Sequence, residues 1–187
     1  HEHVSYFGMP PLLRLLQRLG LEAFEAQVIP IHGQLLRVFA RKAPGGEPPD
    51  ASLREIEKQE LAAGLADLET YQHFGASIAG AKLKLVSMLR DLKRQGKQIV
   101  GYGAPAKGNI ILNYCGIDTT LIDYLTDTTP QKQGRYTPGM HLPVFPPERA
   151  RAEAPDYFVL FAWNYADVIL EKEKDYRARG GKFIIPI

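Results

Sequence analysis

"IVGYGAPAKGN", Ile99 to Asn109, is the stretch whose reading decides the fold. A β-branched run closes on two glycines, and a segment able to begin a helix follows. That is the order of a strand, a phosphate-holding turn and a helix N-terminus. The match to cofactor loops is incomplete. A dinucleotide fingerprint needs a third glycine three residues after the second, where this chain has Ala106. A P-loop needs Gly-Lys-Ser/Thr, and here Lys107 precedes Gly108. The stretch still suits an anion: the helix start favours negative charge, Lys107 adds a point charge and Asn109 a hydrogen bond. A plain tight turn reads from the same residues.

Downstream, strands and helices alternate. "LIDYLTDTT", "HLPVF", "DYFVLFAW" and "KFIIPI" read as strands; "PERARAEA" and "YADVILEKEKDYRARGG" read as helices. Repeated β-α units predict an α/β fold over residues 97–187, a Rossmann-like open, mostly parallel sheet with helices on both faces. Ligands of such sheets gather at the carboxyl ends of the strands. Two further stretches fall there. "TDTTPQKQGRYTPGM", Thr126 to Met140, carries Lys132, Gln133, Arg135 and Tyr136, donors suited to phosphates or a sugar. A solvated surface loop accounts for it equally well. Asp127 closes its strand where Rossmann-type folds place the carboxylate that takes a ribose diol. "FAWNYAD" offers Trp163 as a stacking face and Asn164 as a helix cap, and core packing is the competing explanation for both.

Upstream, "MPPLLRLLQRLG" (9–20) reads as a helix with prolines in its first turn, followed by strands "LEAFEAQVIP" and "QLLRVFARK" joined by "IHG". A helix and a strand pair are too small to bury their own apolar faces. "APGGEPPD" (43–50) is a linker, and from Ser52 to Gln95 the chain is helix-like, with Gly64, Gly75 and Gly80 as weak points. The domain reading is thus 1–42, a helix and strand hairpin; 43–96, a linker and long helical connection; and 97–187, the Rossmann-like domain.

Composition narrows the classes. With 45% hydrophobic residues and a formal net charge of +2, the 187 residues can bury a sizeable core and give no case for a nucleic-acid partner. The single cysteine, Cys115, excludes an internal disulfide and a Cys-rich metal site, and its apolar context suits a buried thiol. No apolar run reaches transmembrane length and no signal-peptide pattern opens the chain, so a cytoplasmic protein without a membrane partner is expected. The chain opens on "HEHVSYF" without an initiator methionine, which reads as a fragment. There His1 and His3 flank Glu2, a general base beside a carboxylate or, less specifically, an H-x-H metal pair, and on these residues alone a plain polar loop is the favoured reading.

Taken in order, "HEHVSYF", "HGQLLRV", "GYGAPAKGNIILNYCGI", "DTTPQKQGRYTPGMHLPV", "FAWNYAD" and "GGKFIIPI" resemble the C-terminal part of the sugar C-methyltransferases that depend on S-adenosylmethionine (SAM). The resemblance spans nearly the whole chain. It implies that 1–42 is the tail of a truncated methyltransferase domain, that the SAM-binding loop and a zinc-cysteine module lie upstream, and that no cofactor is bound within the fragment. It implies a nucleotide-linked ketosugar as substrate and the missing upstream domains as partners. His3 becomes the base that removes a proton next to the keto group, assisted by Glu2. The family's H-G-G-S turn appears as His32-Gly33-Gln34-Leu35, so His32 is a substrate candidate whose turn has lost a glycine and a serine. Expected substrate contacts are Lys107, Asn109, Lys132, Arg135, Tyr136, His32, Trp163 and Asn164. By itself the fragment is expected to be inactive. The competing reading is a non-catalytic Rossmann-like module that binds a nucleotide or nucleotide sugar; a small NAD-type dehydrogenase domain fits less well, given the glycine spacing.

Overall fold

The computed structural model describes residues 5–30 and 34–186. They fall into two compact units, His1–Gly75 and Ala76–Ile187.

In the first unit, helix α1 (Met9–Arg18) starts on Pro10 and Pro11, whose missing N–H groups cost nothing in a first turn. Strands β1 (Leu21–Ile29) and β2 (Leu35–Lys42) pair antiparallel, with a register shift between Ala23 and Glu25. Helix α2 (Ala51–Ala62) is capped by Asp50, whose side chain accepts from Ser52 N. Met9, Ala23, Ala26 and Leu53 form a small core, with Leu13, Leu16, Leu36, Val38 and Ile56 half-buried around it.

The expected single helix after Ser52 is two. Turns replace helix at 63–67, around the first of the three glycines, and α3 (Leu68–Arg94) then runs unbroken through Gly75 and Gly80.

The second unit is a three-layer α/β sandwich. Strands β3 (Ile99–Tyr102), β4 (Tyr124–Thr126), β5 (Val144–Phe145), β6 (Tyr157–Leu160) and β7 (Lys182–Ile184) form one sheet in the order β5-β4-β3-β6-β7, every pairing parallel. The chain moves outward from β3 to β5, then returns to the other side of β3 as β6. Between β3 and β6 lies the topological switch point. Alternation along the strands sends Ile99, Leu125, Val159 and Ile184 to one face, against α3 (Leu85, Leu89) and α4 (Ala106–Cys115, with Leu112). Val100, Tyr124 and Phe158 face the other way, against Ala150 of α5 (Pro147–Glu153) and Tyr176 of α7 (Lys174–Ala178). Both faces of a parallel sheet are covered, as its continuous apolar strands require.

Several strands are shorter than the sequence predicts: β4 keeps only Tyr124–Thr126 of "LIDYLTDTT", β5 Val144–Phe145 of "HLPVF" and β7 Lys182–Ile184 of "KFIIPI". "DYFVLFAW" pairs only to Leu160, and Phe161 N makes the last bond to β3, on Tyr102 O (3.1 Å). Gly103, with φ +84°, turns β3 away, so nothing remains for Ala162 and Trp163 to pair with, and a 3₁₀ turn (Trp163–Tyr165) follows. The final helix divides at Glu173 into α6 (Ala166–Lys172) and α7. Among the described residues no helix is long and apolar enough to cross a membrane.

Candidate functional site

The third glycine that the fingerprint lacks is present two positions later. A Cβ on Gly108 would stand 2.7 Å from Phe161 Cβ, so α4 approaches β6 there as closely as the last glycine of a dinucleotide loop allows. The two extra residues lie between Gly103 and Gly108, in the turn (Ala104, Pro105) and helix start (Ala106, Lys107) that cross the strand ends.

Helix α4 has Pro105 at its N-cap and no side-chain cap. Its first intrahelical bond runs from Asn109 N to Pro105 O (3.1 Å), so the amides of Ala106, Lys107 and Gly108 precede the ladder and carry the positive end of the helix dipole. Facing this helix start is the 127–140 loop, held by backbone bonds to the segment that leads into β5: Gly134 N to Val144 O (2.9 Å), Val144 N to Arg135 O (2.8 Å) and Thr137 N to Leu142 O (2.9 Å). Asn113 of α4 ties the two together, its amide donating to Asn109 O (2.9 Å) and Pro138 O (3.0 Å).

Between them lies a cavity of about 340 Å³ with an apolar floor of Leu112, Leu125 and Val144. Its polar residues are Asn109, Gln131, Lys132, Arg135, Tyr136 and Thr137. Four residues singled out from the sequence, Asn109, Lys132, Arg135 and Tyr136, thus converge on one hollow. Asn109 Oδ1 is buried there without a hydrogen-bond partner. The Arg135 guanidinium is exposed and, among the described residues, free of any ion pair or hydrogen bond. Tyr136 is 67% exposed at the rim.

Lys132 is engaged already. Its ammonium donates to Ala104 O (3.0 Å) and Asp127 Oδ2 (3.0 Å), leaving one of three protons. Asp127 holds the whole junction: Oδ2 also accepts from Ala104 N (2.8 Å) and Oδ1 from Thr129 N (2.8 Å). Burial alone would raise its carboxyl, but the backbone donors of Thr129 and Ala104 and the Lys132 ammonium outweigh that and keep it below the ordinary aspartate value. A ribose diol, the use the sequence suggests for Asp127, would have to displace these donors.

Lys107 and Trp163 meet across the switch point, the ammonium 5.0 Å from the ring centroid. One face of the indole is covered by that charge. Asn164 does not cap α6, whose N-cap is Tyr165 without a side-chain bond; its Oδ1 is buried and unpartnered. Glu2, His3 and His32 lie outside the described residues. Among the described residues no group of three or more His, Cys, Asp or Glu is placed to hold a metal.

Sequence reasoning passed over Gln131 and Asn113. Asn113 stands four residues after Asn109 on α4, a polar pair on one helix face that an i, i+4 reading can find.

Comparison with known proteins identifies the family. Residues 30–187 match the C-methyltransferase C-terminal domain. The whole chain is 36% identical to the C-methyltransferase NovU of Streptomyces niveus, over 187 residues, and spans 44% of that relative's length.

Proposed function

Since this chain belongs to the C-methyltransferase C-terminal domain family, we propose that it is the C-terminal part of a SAM-dependent C-methyltransferase acting on a nucleotide-linked ketosugar. The observation that carries the substrate class is the Asn109–Arg135 cavity: an apolar floor for a ring, beside an uncapped helix start and a free guanidinium suited to phosphate. Arg135 contacts the diphosphate and Tyr136 closes over the ring, while Lys132 shapes the mouth and lends its remaining proton. Lys107 adds positive potential from its place on Trp163.

Methyl transfer to a carbon beside a keto group first needs a proton taken from that carbon. An imidazole suits this step because its pKa lies near neutrality, and His3 with Glu2 is the pair proposed for it. SAM would supply the methyl group in the whole protein, from a site outside this chain.

The test uses the full-length protein with SAM and a nucleotide-linked ketosugar, the product followed by its gain of a methyl mass. Arg135→Ala is expected to raise KM about tenfold with kcat nearly unchanged, the mark of a binding contact equal in ground and transition state. His3→Ala is expected to abolish transfer. An unchanged KM in Arg135→Ala, or equal methylation of the sugar without its nucleotide, refutes the substrate reading.

A further inference from the structure

The loop that walls the Asn109–Arg135 cavity has a second hollow on its other side. This cavity, about 380 Å³, occupies the switch point itself: Tyr102 and Gly103 come from the end of β3, Thr126 and Thr128 from the end of β4, and Ala162 from beyond β6. Open parallel sheets take their ligands where the strand order reverses, and each βαβαβ half of this topology is a mononucleotide-binding unit. None of the residues the sequence singles out as substrate contacts lines it.

Its chemistry is specific. The Tyr102 ring is wedged edge-on against Phe158 (centroids 5.4 Å apart) and tilted against Phe183 (5.9 Å), and its hydroxyl donates to Glu173 Oε1 (2.9 Å). Tyr102 therefore presents a fixed ring rather than a hydroxyl. Tyr165, 54% exposed, stands at the rim, with Val168 and Ile169 of α6 as aliphatic wall. The one carboxylate among the lining residues, Asp127, is fully engaged with Ala104, Thr129 and Lys132. Lys172 is exposed, and among the described residues its ammonium has no partner. Two aromatic rings, an aliphatic wall, one free positive charge and no free negative charge describe the complement of a flat ring carrying a single anionic group.

We propose that this cavity is a second ligand site, separate from the ketosugar cavity, and that it binds a nucleoside monophosphate. The heterocycle lies against Tyr102 and Tyr165, and the phosphate meets Lys172 and the Thr128 hydroxyl. The volume is near the lower end for small-molecule clefts, which suits a mononucleotide and leaves no room for a dinucleotide. The site stands whether or not the ketosugar reading holds, because the two cavities share only Pro105 of the loop.

Calorimetric titration of the full-length protein with AMP, GMP, UMP and TMP tests this. Saturable binding of at least one, with Kd below about 1 mM, is expected. Lys172→Glu and Tyr165→Ala should each weaken it about tenfold, while Arg135→Ala leaves it unchanged. Both altered positions are exposed, and a melting curve like that of the wild type checks that each variant folds. The proposal is overturned if none of the four nucleotides binds, if Lys172→Glu and Tyr165→Ala bind as the wild type does, or if Arg135→Ala weakens the binding as much as they do.

Discussion

Replacing Asp127 by asparagine keeps the side chain's shape and removes its charge. The variant loses the ion pair with Lys132 and weakens the bonds from Ala104 N and Thr129 N. Hydrogen bonds to a charged group are worth about 2 kcal/mol, so Asp127→Asn is expected to lower unfolding stability by about that amount at neutral pH. Because the folded carboxyl titrates below its unfolded value of about 3.9, its contribution is complete above that pH and disappears as pH falls through the folded value. Urea denaturation should show wild type and variant separated at pH 7 and converging below about pH 4. A separation that persists in acid would mean the charge is not what holds the loop. From the sequence Asp127 could be placed at a strand end but not in this role. The Ala104 amide it binds is 23 residues away, and only the parallel pairing of β3 with β4 brings them together.

At the scale of elements, α4 depends on Gly108. Alanine there would improve helix propensity by about 1 kcal/mol, yet its methyl group would meet Phe161 Cβ, which cannot swing away as a side-chain tip can. Overpacking of this kind costs about 1–3 kcal/mol, so Gly108→Ala is expected to be destabilising on balance, with a lower urea midpoint at unchanged m-value. A variant as stable as the wild type would show that α4 shifts outward freely. Most elements are legible in the sequence, because period-2 and period-3.6 apolar patterns are local: β1, β2, β3, α1 and α4 lie where the patterns put them. What the patterns miss is decided by partners. β6 stops at Leu160 because β3 turns away at Gly103, and the third glycine escapes a fixed-spacing motif because the stretch before it is two residues longer than the motif assumes.

For the molecule as a whole, the second unit carries its own interior. Its two apolar clusters draw only on residues 85–184, enclosed on both sheet faces by helices. A chain of residues 68–187, which keeps α3 whole, is therefore expected to fold alone and to melt cooperatively, as followed by circular dichroism; a broad, sloping melt would refute this. Of the candidate site, the sequence shows the cast and not the grouping. Asn109, Lys132, Arg135 and Tyr136 share one hollow, Lys107 joins Trp163, and the switch-point cavity is built from Tyr102, Tyr165 and Lys172, ordinary residues until β6 is laid beside β3.

The contact between Lys107 and Trp163 has an optical consequence. Trp163 is the only tryptophan of these 187 residues, and the charge above its ring lies two residues after Pro105, which lines both cavities. Within this chain the indole is a built-in fluorophore, and its emission is expected to report any shift of the helix start that carries Lys107.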